Sequence, residues 1–131
     1  MIVAQFFDPV AEKVVKRAPA TADGIDALVD HLLSLSSERG HPALELVRED
    51  GSSASLGTDG VRAVVVWHNA ISDSFHSVGT EKSRELRFDY MGSWSEVPGE
   101  WTVSLGSAAD CLRNFIDLGS PDTEFVVFEP D

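Results

Sequence analysis

The chain is poor in cysteine, in cations and in long apolar runs, and each shortage excludes something. Cys111 is the single cysteine among 131 residues. One thiol rules out an internal disulfide framework and fits a reducing compartment. No apolar run approaches the roughly 20 residues that span a bilayer. The first residues, Met1 to Asp8, carry neither a basic leader nor a longer apolar core, so no signal peptide is expected. Ten Lys and Arg stand against twenty-two Asp and Glu, a formal net charge of −12. From residue 88 onward nine carboxylates accompany one cation, Arg113. Phosphate contacts need clustered Lys and Arg, so nucleic acid is not the expected partner. An anionic membrane surface is unsuited for the same reason. Excess acid serves solubility, and it also draws in a basic protein partner over long range. The expectation is a soluble, cytoplasmic protein with one domain over residues 1–131, long enough for one hydrophobic core.

Apolar spacing supplies the elements. Met1 to Phe7 reads as a strand closed by Asp8-Pro9, and Val10 to Pro19 as a connection or short hairpin. Thr21 can cap a helix in which Ile25, Leu28, Val29, Leu32 and Leu33 follow the i, i+3, i+4, i+7, i+8 spacing. Strands follow over Ala43 to Glu49 and Ser53 to Thr58, then an Asp59-Gly60 turn and the β-branched run Val61 to Trp67. Asp-Gly between two such runs marks a hairpin, and the second strand is apolar enough to lie mid-sheet. Phe75 to Val78 reads as a further strand. Arg84 to Tyr90 alternates, with Leu86, Phe88 and Tyr90 on one face and Glu85, Arg87 and Asp89 on the other. Trp94 to Val97 begins a return. Ser107 is placed to cap a second helix over Ala108 to Leu118, with Ala108, Cys111, Leu112, Phe115 and Ile116 as its buried stripe and Gly119 at its C′ position. Glu124 to Glu129 closes as a strand. Strand, helix, a run of antiparallel strands, helix and strand predict an α+β fold, a mainly antiparallel sheet with two helices packed on one face.

Catalytic constellations are missing from this pattern. The four histidines, His31, His41, His68 and His76, have no His-x-x-x-His spacing, and there is no cysteine pair for zinc. Cys111 lies on an apolar helix stripe beside Asp110, a setting for a small buried hydrophobe rather than a reactive thiolate. There is no Gly-x-Ser-x-Gly elbow, and Gly57-Thr58-Asp59-Gly60 lacks the lysine and helix start of a phosphate loop. No catalytic residue, metal or cofactor is expected. Trp67-His68 and Phe75-His76 could meet across a loop, which keeps open a small ligand-binding or enzymatic α+β domain using His68, His76 and nearby carboxylates.

The unusual stretch is Phe88-Asp89-Tyr90-Met91-Gly92-Ser93-Trp94-Ser95-Glu96-Val97-Pro98, with Glu100 and Trp101 just beyond. Two of the three tryptophans thus flank a glycine turn among carboxylates. Rings supply rigid contact area and carboxylates supply polarity, the make-up of a binding surface. Tyr90, Trp94, Glu96, Glu100 and Trp101 are the partner-binding candidates, with Asp89 and Glu85 contributing from the polar face of the strand.

The run Tyr90-Met91-Gly92-Ser93-Trp94-Ser95-Glu96-Val97-Pro98 resembles the motif of the first-numbered family of immunity proteins from bacterial polymorphic toxin systems, common in actinobacteria. The wider layout is also similar: an opening Ile-Val strand ending at Asp8-Pro9, a helix, the Pro42 to Leu46 strand, a Ser55-Leu56-Gly57 step, and a helix and strand after the motif. Gly99-Glu100-Trp101 departs from the pattern. The resemblance implies a non-catalytic antidote that binds and blocks a cognate toxin in a 1:1 complex. The toxin implied is a basic domain, often a nuclease or deaminase acting on nucleic acid. A subunit of a larger assembly, using the tryptophan segment as an oligomer contact, is the remaining alternative.

Overall fold

The computed structural model describes residues 1–79 and 84–131. Its frame is an antiparallel sheet, as the alternation of the strands requires. Strands β1 (Val3–Asp8) and β2 (Lys13–Arg17) form a hairpin, so the aperiodic Val10 to Pro19 stretch is a strand and turn. Next come helix α1 (Ile25–Ser34) and strands β3 (Leu44–Val47), β4 (Ser53–Thr58), β5 (Arg62–His68) and β6 (Ser74–Val78). The hairpin β7 (Leu86–Tyr90) and β8 (Ser93–Val97) follows, then a short β9 (Val103–Ser104), helix α2 (Leu105–Leu118) and β10 (Val127–Pro130). The sheet runs β10-β6-β5-β4-β3-β1-β2, with β9 also on β5, while β7 and β8 form a separate two-stranded sheet. This is the α+β architecture expected.

Period-2 alternation divides the sheet into two unlike faces. Leu44, Leu56 and Val65 sit opposite one another across β3, β4 and β5, all fully buried toward the helices. Ile25, Val29 and Leu32 of α1 and Cys111, Leu112 and Phe115 of α2 complete that core. Residues one step along the strands face the other way. There Val64 packs with Ala43, Leu86 and Phe88 in a second cluster, so β5 is covered on both sides as its apolar run predicted. The β7–β8 hairpin is that second cover. Phe88 lies flat on Gly57, where an added Cβ would come within 2.7 Å of three ring atoms. Glycine at this point of β4 is what lets the hairpin dock.

Local chemistry moves three boundaries. Helix α2 begins earlier than the Ser107 cap implied, because Ser104 Oγ accepts the Ser107 N–H at 3.2 Å and serves as the cap three residues upstream. Its end is as read, with Gly119 left-handed at φ 80°. Thr21 opens a short 3-10 turn, Ala22–Gly24, that leads into α1 without a side-chain cap. The last strand starts at Val127 because Thr123 Oγ1 accepts the N–H groups of Phe125 and Val126, turning the chain there and leaving Phe125 exposed.

Substituting Gly57→Ala is expected to destabilise the fold by about 1–3 kcal/mol, the usual cost of overpacking. Denaturant unfolding measures it. Replacing Phe88 by Leu in the same chain should return part of the loss, and additive losses would refute the Gly57–Phe88 contact. Burial pushes the Cys111 thiol up to about 12, helped by the charges of Asp110 and Asp122. Native protein should therefore resist iodoacetamide at pH 8, reacting only at the rate of unfolding.

Candidate functional site

The site is built on a two-residue turn. Met91 (φ 50°) and Gly92 (φ 88°) are both left-handed, the geometry that joins strands of the right twist. A two-residue loop fixes the register: Tyr90 opposite Ser93, Asp89 opposite Trp94, Arg87 opposite Glu96 and Leu86 opposite Val97. Leu86, Phe88 and Val97 face the sheet. Arg87, Trp94 and Glu96 face outward.

Asp89 overturns its placement on an exposed polar face, because its side chain is fully buried. The segment after α1 adds to the free edge of β7: Asp89 N–H donates to His41 O at 3.0 Å, and Ala43 N–H donates to Asp89 O at 2.7 Å. That addition covers the carboxylate. Asp89 Oδ1 then accepts the Gly92 N–H at 2.8 Å, and Oδ2 pairs with Arg39 Nε at 3.3 Å. A buried charge is tolerated when paired and hydrogen-bonded in this way. Asp89 holds the turn and is closed to a partner.

Trp101 also differs from a free contact residue. It ends the 3-10 turn Gly99–Trp101, packs half-buried against the second cluster, and stacks on His76 with ring centroids 3.8 Å apart. Tyr90, on the same face as Leu86 and Phe88, lies at the rim of the hairpin and is 37% exposed. Its hydroxyl donates to Glu45 Oε2 on β3.

The remaining candidates come together. Arg87 Nε pairs with Glu96 Oε2 at 3.3 Å, and its guanidinium lies 5.5 Å from the Trp94 ring centre. Trp94 is 52% exposed, a large apolar ring left in solvent. Glu85, Glu96 and Glu100 line one concavity of about 550 Å³, with Arg84 and the Val97–Gly99 backbone completing it. Two of these carboxyls are close enough to interact: hydrogen bonding and charge repulsion from Glu96 raise the Glu85 pKa above its ordinary value. Glu100 is held in place by its backbone, whose carbonyl accepts the Gly79 N–H at 2.7 Å. Glycine is required at 79, since a Cβ there would lie 2.0 Å from Thr102 O.

The histidines have other duties. His76 is buried, stacked on Trp101, and its Nδ1 lies 2.7 Å from Asp131 Oδ1. Across the sheet Trp67 stacks on Phe75 at 4.9 Å, while Val66 pairs with His76 and His68 with Ser74. His68 and His76 are therefore diagonal neighbours on one face, but only His68 lines the adjoining cavity. Among the described residues no group of three or more His, Cys, Asp or Glu side chains is arranged to hold a metal ion. No helix among them is long and apolar enough to cross a membrane.

No family model, curated protein or solved structure matches this chain. The likeness to immunity proteins therefore stands on the quoted residues alone.

Sequence reasoning missed Arg39, Glu45 and the Arg87–Trp94 contact. The last was within reach, since a two-residue Met91-Gly92 loop sets Arg87 and Trp94 diagonally on one face. Arg39 and Glu45 reach the site through long-range packing and leave no local signal.

Removing the buried carboxylate with Asp89→Ala should cost about 3–5 kcal/mol in denaturant unfolding, because it leaves Arg39 and the Gly92 N–H without their partner. A loss below about 1 kcal/mol would mean that the turn holds itself. Tyr90, the chain's one tyrosine, has its phenol pKa pushed up from 10.0 to about 12 by burial, then by its hydrogen bond to Glu45 and that group's charge. Because the folded value is raised, this group's stabilising contribution is complete below pH 10 and is lost as pH rises toward 12. Phenolate absorbance reads the titration directly. Glu45→Gln should bring it to lower pH, and an unchanged midpoint would detach Glu45 from the effect.

Proposed function

We propose that this chain is a non-catalytic, cytoplasmic antidote that binds and blocks a basic toxin domain acting on nucleic acid, such as a nuclease or deaminase. The observation that carries the reading is the outer face of the β7–β8 hairpin. There an exposed Trp94 adjoins a concavity lined by Glu85, Glu96 and Glu100. The likeness of Tyr90 to Pro98 to the immunity-protein motif supports it, as does the net charge of −12. A protein that handles nucleic acid must present a basic surface. An acidic one can occupy that surface, with long-range attraction speeding capture and buried aromatic anchors slowing release. These groups stand on a hydrogen-bonded hairpin and the 3-10 turn after it, which lowers the ordering needed on binding.

The test uses the product of the neighbouring gene, purified in an inactive form, and surface plasmon resonance at two salt concentrations. A 1:1 complex is expected, with association slowing as salt rises. Trp94→Ala should weaken affinity at least tenfold, chiefly by faster release. Glu96→Lys should slow association severalfold at low salt. If the complex forms but both variants bind like the original chain, the contact surface lies elsewhere. Absence of any complex, or a neighbourhood of metabolic genes, would remove the antidote reading.

A further inference from the structure

Beside the hairpin, on the sheet face away from the helices, lies a second cavity of about 210 Å³. Its floor is Gly57, Val64 and Val66, its wall is Phe88 and Tyr90, and Ser55 and His68 stand at its rim. The walls are apolar, but the Ser55–Tyr90 end has a definite hydrogen-bond polarity. Ser55 Oγ donates to Glu45 Oε2 at 3.3 Å, and the Tyr90 hydroxyl donates to the same oxygen. A hydroxyl has one proton to give. Both are spent on Glu45, so each hydroxyl offers the cavity only lone pairs. Glu45 itself receives a third neutral donor, Gln5 Nε2 at 2.5 Å, and no Lys or Arg pairs with it among the described residues. Its charge lies partly buried behind two hydroxyls with no counter-charge among the described residues.

We infer that this cavity receives a lysine or arginine side chain of the protein partner. The alkyl stem lies along Val64, Val66 and Phe88, and the cationic head reaches the Ser55–Tyr90 end in front of Glu45. Long cationic side chains bury their methylenes in this manner while keeping the head on polar groups. A carboxylate would meet lone pairs and a like charge. A purely apolar group would strip water from two hydroxyl acceptors without replacing its hydrogen bonds. The inference rests on reading the chain as a binder of a basic protein and names one anchor of that complex. Tyr90 is thereby a contact residue through the cavity, on the opposite side of the hairpin from Trp94.

The experiment is a ¹H–¹⁵N titration of the intact chain with n-butylguanidinium, n-butanol and butyrate, probes of similar chain length. Saturable shifts confined to Gly57, Val64, Val66 and Tyr90 amides are expected from n-butylguanidinium alone. Glu45→Gln keeps an acceptor for its neighbours and should weaken that binding about tenfold through loss of the charge. Val66→Phe, which fills the cavity and leaves Glu45 intact, should abolish it. Equal response to butyrate or n-butanol, no response to any probe, or indifference to Glu45→Gln would overturn the inference. The outcome is separable from that of the antidote reading. A neighbouring toxin bound equally well by the original and Glu45→Gln chains overturns the anchor and leaves the antidote standing. Butylguanidinium binding with no toxin complex does the reverse.

Discussion

The buried carboxylate of Asp89 is the interaction on which the site depends. This residue ties two segments far apart in sequence: its side chain joins the Met91-Gly92 turn of its own hairpin to Arg39, 50 positions earlier, and its backbone pairs with residues 41 and 43. Each alone is weak. A two-stranded ribbon is marginal by itself in water, and a lone surface ion pair contributes little. Burial changes the balance, because inside the protein the carboxylate is costly unless all its partners are present. The hairpin is therefore either assembled with Arg39 and residues 41–43 or not assembled. Trp94, opposite Asp89 in the register, inherits a fixed direction from this arrangement.

Four of the chain's ten cationic residues tie the fold together. Arg48 donates to Phe115 O at 2.9 Å and Ile116 O at 3.1 Å, where the carbonyl end of α2 favours positive charge. Arg62 spans to the backbone of Arg84 and Glu85, tying the start of β7 to β5. Arg39 holds Asp89, and Arg113 bridges Asp26 and Asp110. These arginines act as staples, a use that suits several donors in a fixed fork. Lys13, Lys16 and Arg17 stand apart on β2, an edge strand where charge also discourages unwanted pairing. On the hairpin face, by contrast, Arg84 and Arg87 stand beside Glu85, Glu96 and Glu100, so the local acidic excess is small.

Much of the fold was legible because period and punctuation agreed. The helix stripes, the Asp59-Gly60 hairpin and the double-sided burial of β5 follow from residue spacing, and Gly119 ends α2 where a left-handed cap belongs. Choices between equivalent residues were not legible: Ser104 and Ser107 are both good caps, and packing selects the first. At the site, alternation gave the correct inward residues Leu86 and Phe88. It failed for Asp89, since strand periodicity assigns a face but cannot say that residues 41–43 will cover it. Trp101 was misjudged for a related reason, its partner His76 lying on a strand 25 residues earlier. Glu85, Glu96, Glu100 and Trp94 are exposed, a property of turns and edges that local sequence can carry.

Under the proposed function, the two sides of the β7–β8 hairpin would ask different things of a partner. In that reading the outer side offers three carboxylates in an open concavity, where water screens charge and they would act mainly on the speed of encounter, and beside it the Trp94 ring, which would slow release. The inner rim offers Tyr90, backed by Glu45, over apolar walls where water is scarcer and an ion pair with a guest counts for more. A partner engaging both would straddle the ribbon, with the outer carboxylates steering and Trp94 and the inner cavity retaining. The Asp89 turn fixes the distance between these two sides, so specificity would reside in their spacing as much as in any single contact. That division lets so short a motif combine fold-building residues with exposed ones, because alternate positions along the same two strands serve opposite faces.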